Sequence, residues 1–456
     1  MSKREFLRWF GLLLLSTSAR ASVDSMSPGE TLGNKRILVL GAGLTGLASA
    51  RELKRHWHEV LVLEARDRLG GRIWTSNKWS DLPLDFGATW IHGVKGNPIT
   101  GLADELKARR VITRYDRSLT YHTSGRLLTQ AEEDHKELIR EQVFGALRKA
   151  QDLDEDTSVR QAVDLLKREL KSSPEAIRFL DFCLSGSIEQ EYSGSASQLS
   201  AHWYDGAKEF AGDDALFTQG FSVITDFLAR GIDVEFSQVV KQAYWRQPHV
   251  RVVTQTSEFV ADNIVVTLPL GVLQSGAVHF APALSDRKRD AIAKLGMGVL
   301  NKCYLRFPRA FWPQDVDWLE YVAARHGEWT EWVSFQRAAQ VPVLPGFNAA
   351  DHGRVIEALS HQEIVESAMQ TLKTMFGAGI PQLIDYQITR WTTDPFARGS
   401  YSYNVYGSTP EMRAALAAPL NGRVFFAGEA TDKACFGTAH GAYLSGLRAA
   451  NDVLST

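Results

Sequence analysis

Cysteine is scarce in this chain: Cys183, Cys303 and Cys435 are far apart and form no CxxC pair. That excludes a thiolate zinc site and a disulfide framework, and the three thiols read as small buried hydrophobes. No metal site is expected. A dominant charge is also missing. Fifty-one Lys and Arg face 53 Asp and Glu for a net charge of −2, with the basic residues spread along the chain. Nothing in that distribution attracts nucleic acid. Long hydrophobic runs are absent too: Trp9 to Leu15 falls far short of the ~20 apolar residues a membrane-crossing helix needs. Neither a repeat nor a low-complexity tract interrupts the sequence. What remains is the composition of a folded protein, 44% hydrophobic and 23% charged, with 12 Trp, 22 Phe and 12 Tyr. Its 456 residues are too many for one ordinary core, so two domains or one elaborated α/β unit are expected.

The clearest local pattern lies near the start. Arg36 to Leu40 is a short apolar run suited to a buried parallel strand. Gly41-Ala42-Gly43-Leu44-Thr45-Gly46 follows as a turn, Leu47 to His56 has helical spacing, and Val60 to Leu63 is a second strand. Here GxGxxG stands in the strand–turn–helix context that gives it meaning. The first glycine permits the tight turn, the second lets the backbone approach a pyrophosphate, and the third lets helix and strand pack closely. Glu64 ends the second strand about 20 residues on, where a carboxylate accepts bonds from ribose hydroxyls. The unit reads as a dinucleotide site.

Further along, Leu102 to Leu184 is charged and studded with leucine, which predicts several amphipathic helices. Strand-like stretches then recur at Val250–Thr254, Ile264–Leu268, Lys302–Phe307, Trp329–Phe335, Arg354–Leu359 and Asp385–Trp391. The end returns to strand and helix, with Val424–Ala427 before Thr438–Leu454. One sheet assembled from both termini is expected, with a substrate domain supplied from the middle. The predicted fold is therefore α/β, a Rossmann-like dinucleotide-binding domain interleaved with an α+β substrate domain. Parts of the dinucleotide-binding domain are expected at 35–100, 201–290 and 396–456. Helices of the substrate domain are expected at 101–200 and its sheet at 291–395.

The residues after Glu64 favour FAD over NAD. Glu64-Ala65-Arg66-Asp67-Arg68-Leu69-Gly70-Gly71-Arg72 runs past the acid into a basic loop with paired glycines, and a guanidinium suits a pyrophosphate or the polar edge of a flavin. This E-A-R-x-R-x-G-G-R stretch resembles the flavin-containing amine oxidases, which include monoamine oxidases, polyamine oxidases and lysine-specific histone demethylases. Desaturases and protoporphyrinogen oxidases share it.

The resemblance extends along the chain and is closest to polyamine oxidases. Gly87-Ala88-Thr89-Trp90-Ile91-His92-Gly93 looks like the segment lying along the flavin ring, and implies that His92 contacts a substrate nitrogen. Lys302, after Leu295 to Asn301 and before Phe311-Trp312-Pro313, is similar to the lysine that reaches flavin N5 through water. A fixed cation there stabilises negative charge during reoxidation by oxygen and holds the water that attacks an imine. In Trp391 to Tyr403, Tyr401 matches the ring that walls the amine site, and Ser400 falls where monoamine oxidases carry a flavin-bonding cysteine. The resemblance implies noncovalent FAD, and makes the first domain a Rossmann-like FAD-binding domain of the two-dinucleotide-binding type. Gly422 to Thr431 and Thr438 to Gly446 are similar to the terminal flavin segment, with Glu429 on the ribityl or ribose region and Thr438 and Ala439 at the flavin edge. Gln238-Val239-Val240 looks like the adenine-holding stretch, Val240 above all. Leu199 to Trp203 is also family-like, with a packing role.

These residues imply an amine held between Tyr401 and the flavin, hydride transfer from its α-carbon to N5, imine hydrolysis to an aldehyde and a shorter amine, and hydrogen peroxide from O2. The redox chemistry is the cofactor's; the protein orients and dries the site. Thr438 stands where monoamine oxidases have a second tyrosine, which tilts the expectation toward longer, threaded amines. Glu191, Asp205 and Glu209 are offered as partners for a distal ammonium without a position for any of them. An L-amino-acid or other monoamine oxidase, a desaturase-type flavoenzyme and a flavin-binding protein without activity are the rival readings. Oligomeric state is open.

The first 21 residues stand apart. Lys3, Arg4 and Arg8 give a basic start, an apolar run follows, and Ala19-Arg20-Ala21 has the form of a cleavage site. Ser2 to Leu7 resembles a twin-arginine signal with Lys in the first basic place, which implies export of a folded protein to the periplasm. The alternatives are a basic amphipathic anchor and, if no signal operates, a cytoplasmic protein. Residues 22–34, rich in Ser, Gly and Pro, read as a linker.

Overall fold

The computed structural model describes residues 34–246 and 248–456. The expected signal segment and all but the last residue of the linker lie outside them. Among the described residues no helix is long and apolar enough to cross a membrane.

Five short strands form a wholly parallel sheet in the order Val424–Phe426, Asn263–Val266, Arg36–Leu40, Glu59–Leu63, Asp233–Glu235. The central three are apolar at nearly every position because helices or a second sheet cover both faces. Register is fixed from distant parts of the chain: Ile37 pairs with Asn263 and Ile264 with Val424. On one face, helix Leu44–Arg55 packs against helix Ala439–Leu454 over a core containing Leu47, Val62, Phe221, Phe425 and Val453. On the other lies a four-stranded sheet, Glu258–Ala261, Val250–Thr254, Val240–Tyr244 and His279–Ala281, over Leu38, Val252, Val266 and Phe426. The sheet drawn from both termini is thus observed, with helix ends within a few residues of expectation.

The second body is a six-stranded, mostly antiparallel sheet in the order Asp385–Ile388, Leu300–Arg306, Val343–Ala349, Glu331–Val333, Trp318–Tyr321, Ser118–Tyr121. Its core is unusually aromatic, with Trp329 and Trp332 stacked at 5.3 Å and fully buried. Helices Gln130–Gln151 and Pro174–Cys183 form an adjoining cluster around Val143, Phe179 and Leu180. The helical expectation for Leu102 to Leu184 is met there, although the same stretch also yields strands Arg110–Thr113 and Ser118–Tyr121.

Arg354–Leu359 is a correction. Its first four residues end helix Ala350–Glu357, where Ala350, Gly353, Ile356 and Glu357 are buried and Val355 is exposed, and Ala358 and Leu359 follow as a turn. The spacing is three and four, the signature of a helix face, and the window 354–359 was too short to reveal it. Helix His361–Phe376, capped by Ser360 and Glu363, follows. All three cysteines are buried, and none forms a disulfide among the described residues.

Candidate active site

The strands aim their C-terminal ends at one elongated cavity of about 390 Å³. Sequence-predicted residues from positions 41 to 439 line it together: Gly41, Gly43, Thr45, Glu64, Arg66, Gly71, Arg72, Ala88, Thr89, Trp90, His92, Val240, Lys302, Tyr401, Glu429, Thr438 and Ala439. Gly46 alone stands behind the wall. A Cβ there would lie 1.9 Å from the Gly41 carbonyl oxygen, and Gly41 itself has φ +108°, so this turn admits glycine at both places.

At the glycine end, helix Leu44–Arg55 starts at Gly43 with no side-chain cap and no acid in its first turn. Its leading amides are therefore left for an anion, and the backbone beside them is bare: a Cβ on Gly43 would approach only Gly70 O, at 3.9 Å, and one on Gly428 would meet nothing within 4 Å. Thr45 donates to Ala442 O at 2.9 Å and ties the two covering helices. Glu64 is buried, and its two oxygens accept from the Ala42 and Arg66 amides at 2.7 and 2.9 Å. Arg66 makes a two-pronged pair with Asp394 at 3.0 and 2.7 Å. This cradle fits a dinucleotide such as FAD. The glycine turn and helix amides would face the pyrophosphate, Glu64 the ribose and Val240 the adenine.

Midway, Arg72 donates to Glu429 at 2.8 Å and to Ser400 O at 2.9 Å. Glu429 also accepts from Ser402 Oγ at 2.6 Å and Gly437 N at 2.9 Å. Burial alone would raise this carboxyl, but Arg72, Ser402 and Arg413 outweigh it and hold it below its ordinary value. Ser400 Oγ is engaged with the Leu300 backbone on both sides, at 2.8 and 3.1 Å. Thr438 caps the last helix, accepting from Gly441 N at 3.0 Å and donating to Cys435 O at 2.7 Å.

At the far end Lys302 projects from strand Leu300–Arg306 and is fully enclosed. Its ammonium donates to Asp85 O at 2.9 Å, Gly87 O at 2.7 Å and Thr89 Oγ1. Burial pulls Lys302 down, and burial pushes the neighbouring Asp85 carboxyl up. Trp90 lies 5.9 Å from the Lys302 ammonium and stacks on Trp318 at 5.6 Å, which stacks in turn on Tyr115 at 4.2 Å. His92 pairs with Asp214 at 3.1 Å. Tyr401 closes the aromatic wall, its hydroxyl bonded to Gln190 O.

Of the three acids offered for a distal ammonium, Glu191 lines this cavity; Asp205 instead accepts from Gln151 at 2.9 Å, and neither it nor Glu209 lines the wall. Glu331 does line it and escaped sequence reasoning. Both lining acids are buried, at 9% and 5% exposure, and with Asp214 they reinforce the burial that keeps the Tyr115 phenol protonated. The signal for Glu331 was a carboxylate inside an apolar strand, flanked by Thr330 and Trp332.

Residues 44–454 match the family model described as flavin containing amine oxidoreductase. The chain is 32% identical to polyamine oxidase 2 of Arabidopsis thaliana, covering 94% of this chain and 90% of that protein. It is 31% identical to lysine-specific histone demethylase 2 of Homo sapiens, over 92% of this chain but only 53% of that longer protein. Among solved structures, wild-type putrescine oxidase bound to putrescine superposes with a TM-score of 0.76 at 18% identity, covering 93% and 99% of the two chains. That likeness is one of fold. Flavin-dependent amine oxidation is the activity these relationships support, and the chain belongs to the flavin-containing amine oxidoreductase family.

Proposed function

We propose that this protein oxidises di- and polyamines with noncovalent FAD, producing an aldehyde, a shorter amine and hydrogen peroxide. One observation carries the substrate class: Glu191 and Glu331 line the same cavity as Lys302 and Tyr401. Two buried carboxylates in an aromatic slot suit a second ammonium on the same molecule, which a monoamine lacks. An amino-acid substrate would bring its own carboxylate toward these acids and be repelled.

FAD, when bound, supplies the two-electron acceptor for the carbon–hydrogen bond beside the nitrogen. Everything else is assigned to this chain's own side chains. Tyr401 and Trp90 exclude water and hold the reacting amine by their ring faces. His92, oriented by Asp214, contacts a substrate nitrogen. Lys302, anchored by Asp85 O, Gly87 O and Thr89 Oγ1, contributes a fixed positive charge beside the place where negative charge develops. Noncovalent attachment is supported by the Ser400 hydroxyl, which lacks a thiol's reactivity and is occupied by Leu300. Export through a twin-arginine signal, with O2 as electron acceptor, completes the proposal.

A peroxide assay against spermidine, spermine, their acetylated forms, putrescine, tyramine and L-amino acids tests it. Turnover of the polyamines above the others is the expected result. Silence with every amine, in protein carrying bound yellow flavin, would overturn it.

A further inference from the structure

Helix Pro174–Cys183 does not end cleanly. It widens into a π-helical turn, Leu184–Glu189, and finishes as Gln190–Tyr192 before Ser193 reverses the chain at φ 59°. Such turns are rare and cost regular hydrogen bonding, so they persist where they redirect something. Here the turn addresses two walls of the amine cavity. The Gln190 carbonyl accepts the Tyr401 hydroxyl at 2.9 Å, and Gly186 faces Glu331 so closely that a Cβ would lie 3.0 Å from Oε1. The next side chain, Glu191, lines the cavity itself.

The turn is held from outside the cavity. Glu189 is buried, and its Oε1 accepts from Ala196 N at 2.8 Å. Its Oε2 meets His326 Nε2 at 2.6 Å. The other imidazole nitrogen lies 3.5 Å from Asp181 Oδ1, on the helix just before the turn. One imidazole, carried on the segment joining strands Trp318–Tyr321 and Glu331–Val333, therefore lies between a carboxylate just before the π-turn and the carboxylate that ends it. Gln190 Nε2, bonded to Thr330 Oγ1 at 2.6 Å, ties the same two elements together.

We propose that His326 and Glu189 form a latch on this π-turn and act as positioning residues for the amine site, fixing where the Gln190 carbonyl and the Glu191 carboxylate stand. The proposal rests on the polyamine reading above and adds to it two residues that do not line the cavity. The charged groups facing His326 are Asp181 and Glu189, with Arg160 paired to Asp181, Arg325 beside it in the loop and His352 on helix Ala350–Glu357. Burial lowers the imidazole, but the two carboxylates outweigh burial and raise it to about 9. The latch is ionic below that pH and loses its charge above it.

The test compares the parent holoenzyme with His326→Gln, Glu189→Gln and the charge-retaining His326→Lys. With spermidine, H326Q and E189Q should raise KM about tenfold with kcat changed less than about threefold, and H326K should recover part of the loss. The ratio of H326Q to parent KM should shrink toward one as pH rises through about 9, where the parent's latch also loses its charge. Hydrogen exchange of amides 184–192 should be faster in H326Q, a readout that needs no substrate. Unchanged exchange there, or a parent and H326Q with the same KM at every pH, overturns the latch. If no amine is oxidised at all, the functional reading falls and exchange still judges the latch. If H326Q does not fold, exchange and KM are read on H326K against the parent across the same pH range.

Discussion

The Tyr401 hydroxyl donates a 2.9 Å hydrogen bond to the backbone carbonyl of Gln190, 211 positions earlier in the chain. The aromatic wall of the amine slot is thus fastened at its tip to the end of a helix from another part of the sequence. Tyr401→Phe keeps the wall and removes the fastening, so kcat/KM for a polyamine should fall by about three- to tenfold, the worth of one such bond. Tyr401→Ala should fall further. Steady-state kinetics on both variants checks the order.

Lys302 spends its three donors on Asp85 O, Gly87 O and Thr89 Oγ1. In Lys302→Met those buried acceptors lose their partner and the slot loses its cation. Reoxidation of the reduced enzyme by O2 should slow by on the order of a hundredfold, the scale on which a preorganised charge acts. Stopped-flow absorbance in oxygenated buffer measures it; an unchanged rate would remove Lys302 from that step.

Glu331→Gln keeps the shape and removes the charge. KM for spermidine should rise about tenfold or more, while any residual turnover of tyramine stays within about twofold, because tyramine has no second ammonium. Equal losses for both amines would mean that Glu331 acts on folding and not on recognition.

Gly46→Ala forces a Cβ to 1.9 Å from the Gly41 carbonyl oxygen, and backbone cannot yield as a flexible side chain does. The turn that would face the pyrophosphate must open. The purified variant should carry little flavin, read as the ratio of absorbance near 450 nm (about the flavin band) to that of protein.

Glu429 gives a pH prediction. Its carboxyl is held below the ordinary 4.5 by Arg72, Ser402 and Arg413 against the opposing effect of burial. A depressed carboxylate contributes stability above its unfolded value and loses that contribution as pH falls through the folded one. The urea midpoint of the parent should therefore exceed that of Glu429→Gln near neutrality, with the gap closing below about pH 4. A gap constant from neutral to acid pH would contradict the assignment.

Legibility from sequence followed the range of the interactions. Gly41 to Glu64 was readable because turn, helix start and acid lie within one βαβ unit, and each residue type answers a local demand. Lys302, Tyr401 and Glu429 were readable only through resemblance, since nothing in their neighbourhoods indicates that they share a cavity. Glu331 sat in a recognised strand, but period-two patterning fails where every residue of Glu331–Val333 is buried, so its direction stayed hidden. The π-turn was out of reach altogether. Leu184 to Glu189 carries no composition that marks a wide turn, and what holds it, His326, comes from 137 residues further on. Arg354 to Leu359 failed for the opposite reason, too short a window on a helix.

The sheet that floors the cofactor cradle has its central strand, Arg36–Leu40, bordered by Asn263–Val266, which in turn borders Val424–Phe426. A growing polypeptide cannot complete that sheet until Val424–Phe426 has been made, and the covering helix Ala439–Leu454 arrives later still. The crevice therefore matures late in synthesis: Arg36–Leu40 can pair early with Glu59–Leu63, but its other edge stays open until Asn263–Val266 has been made.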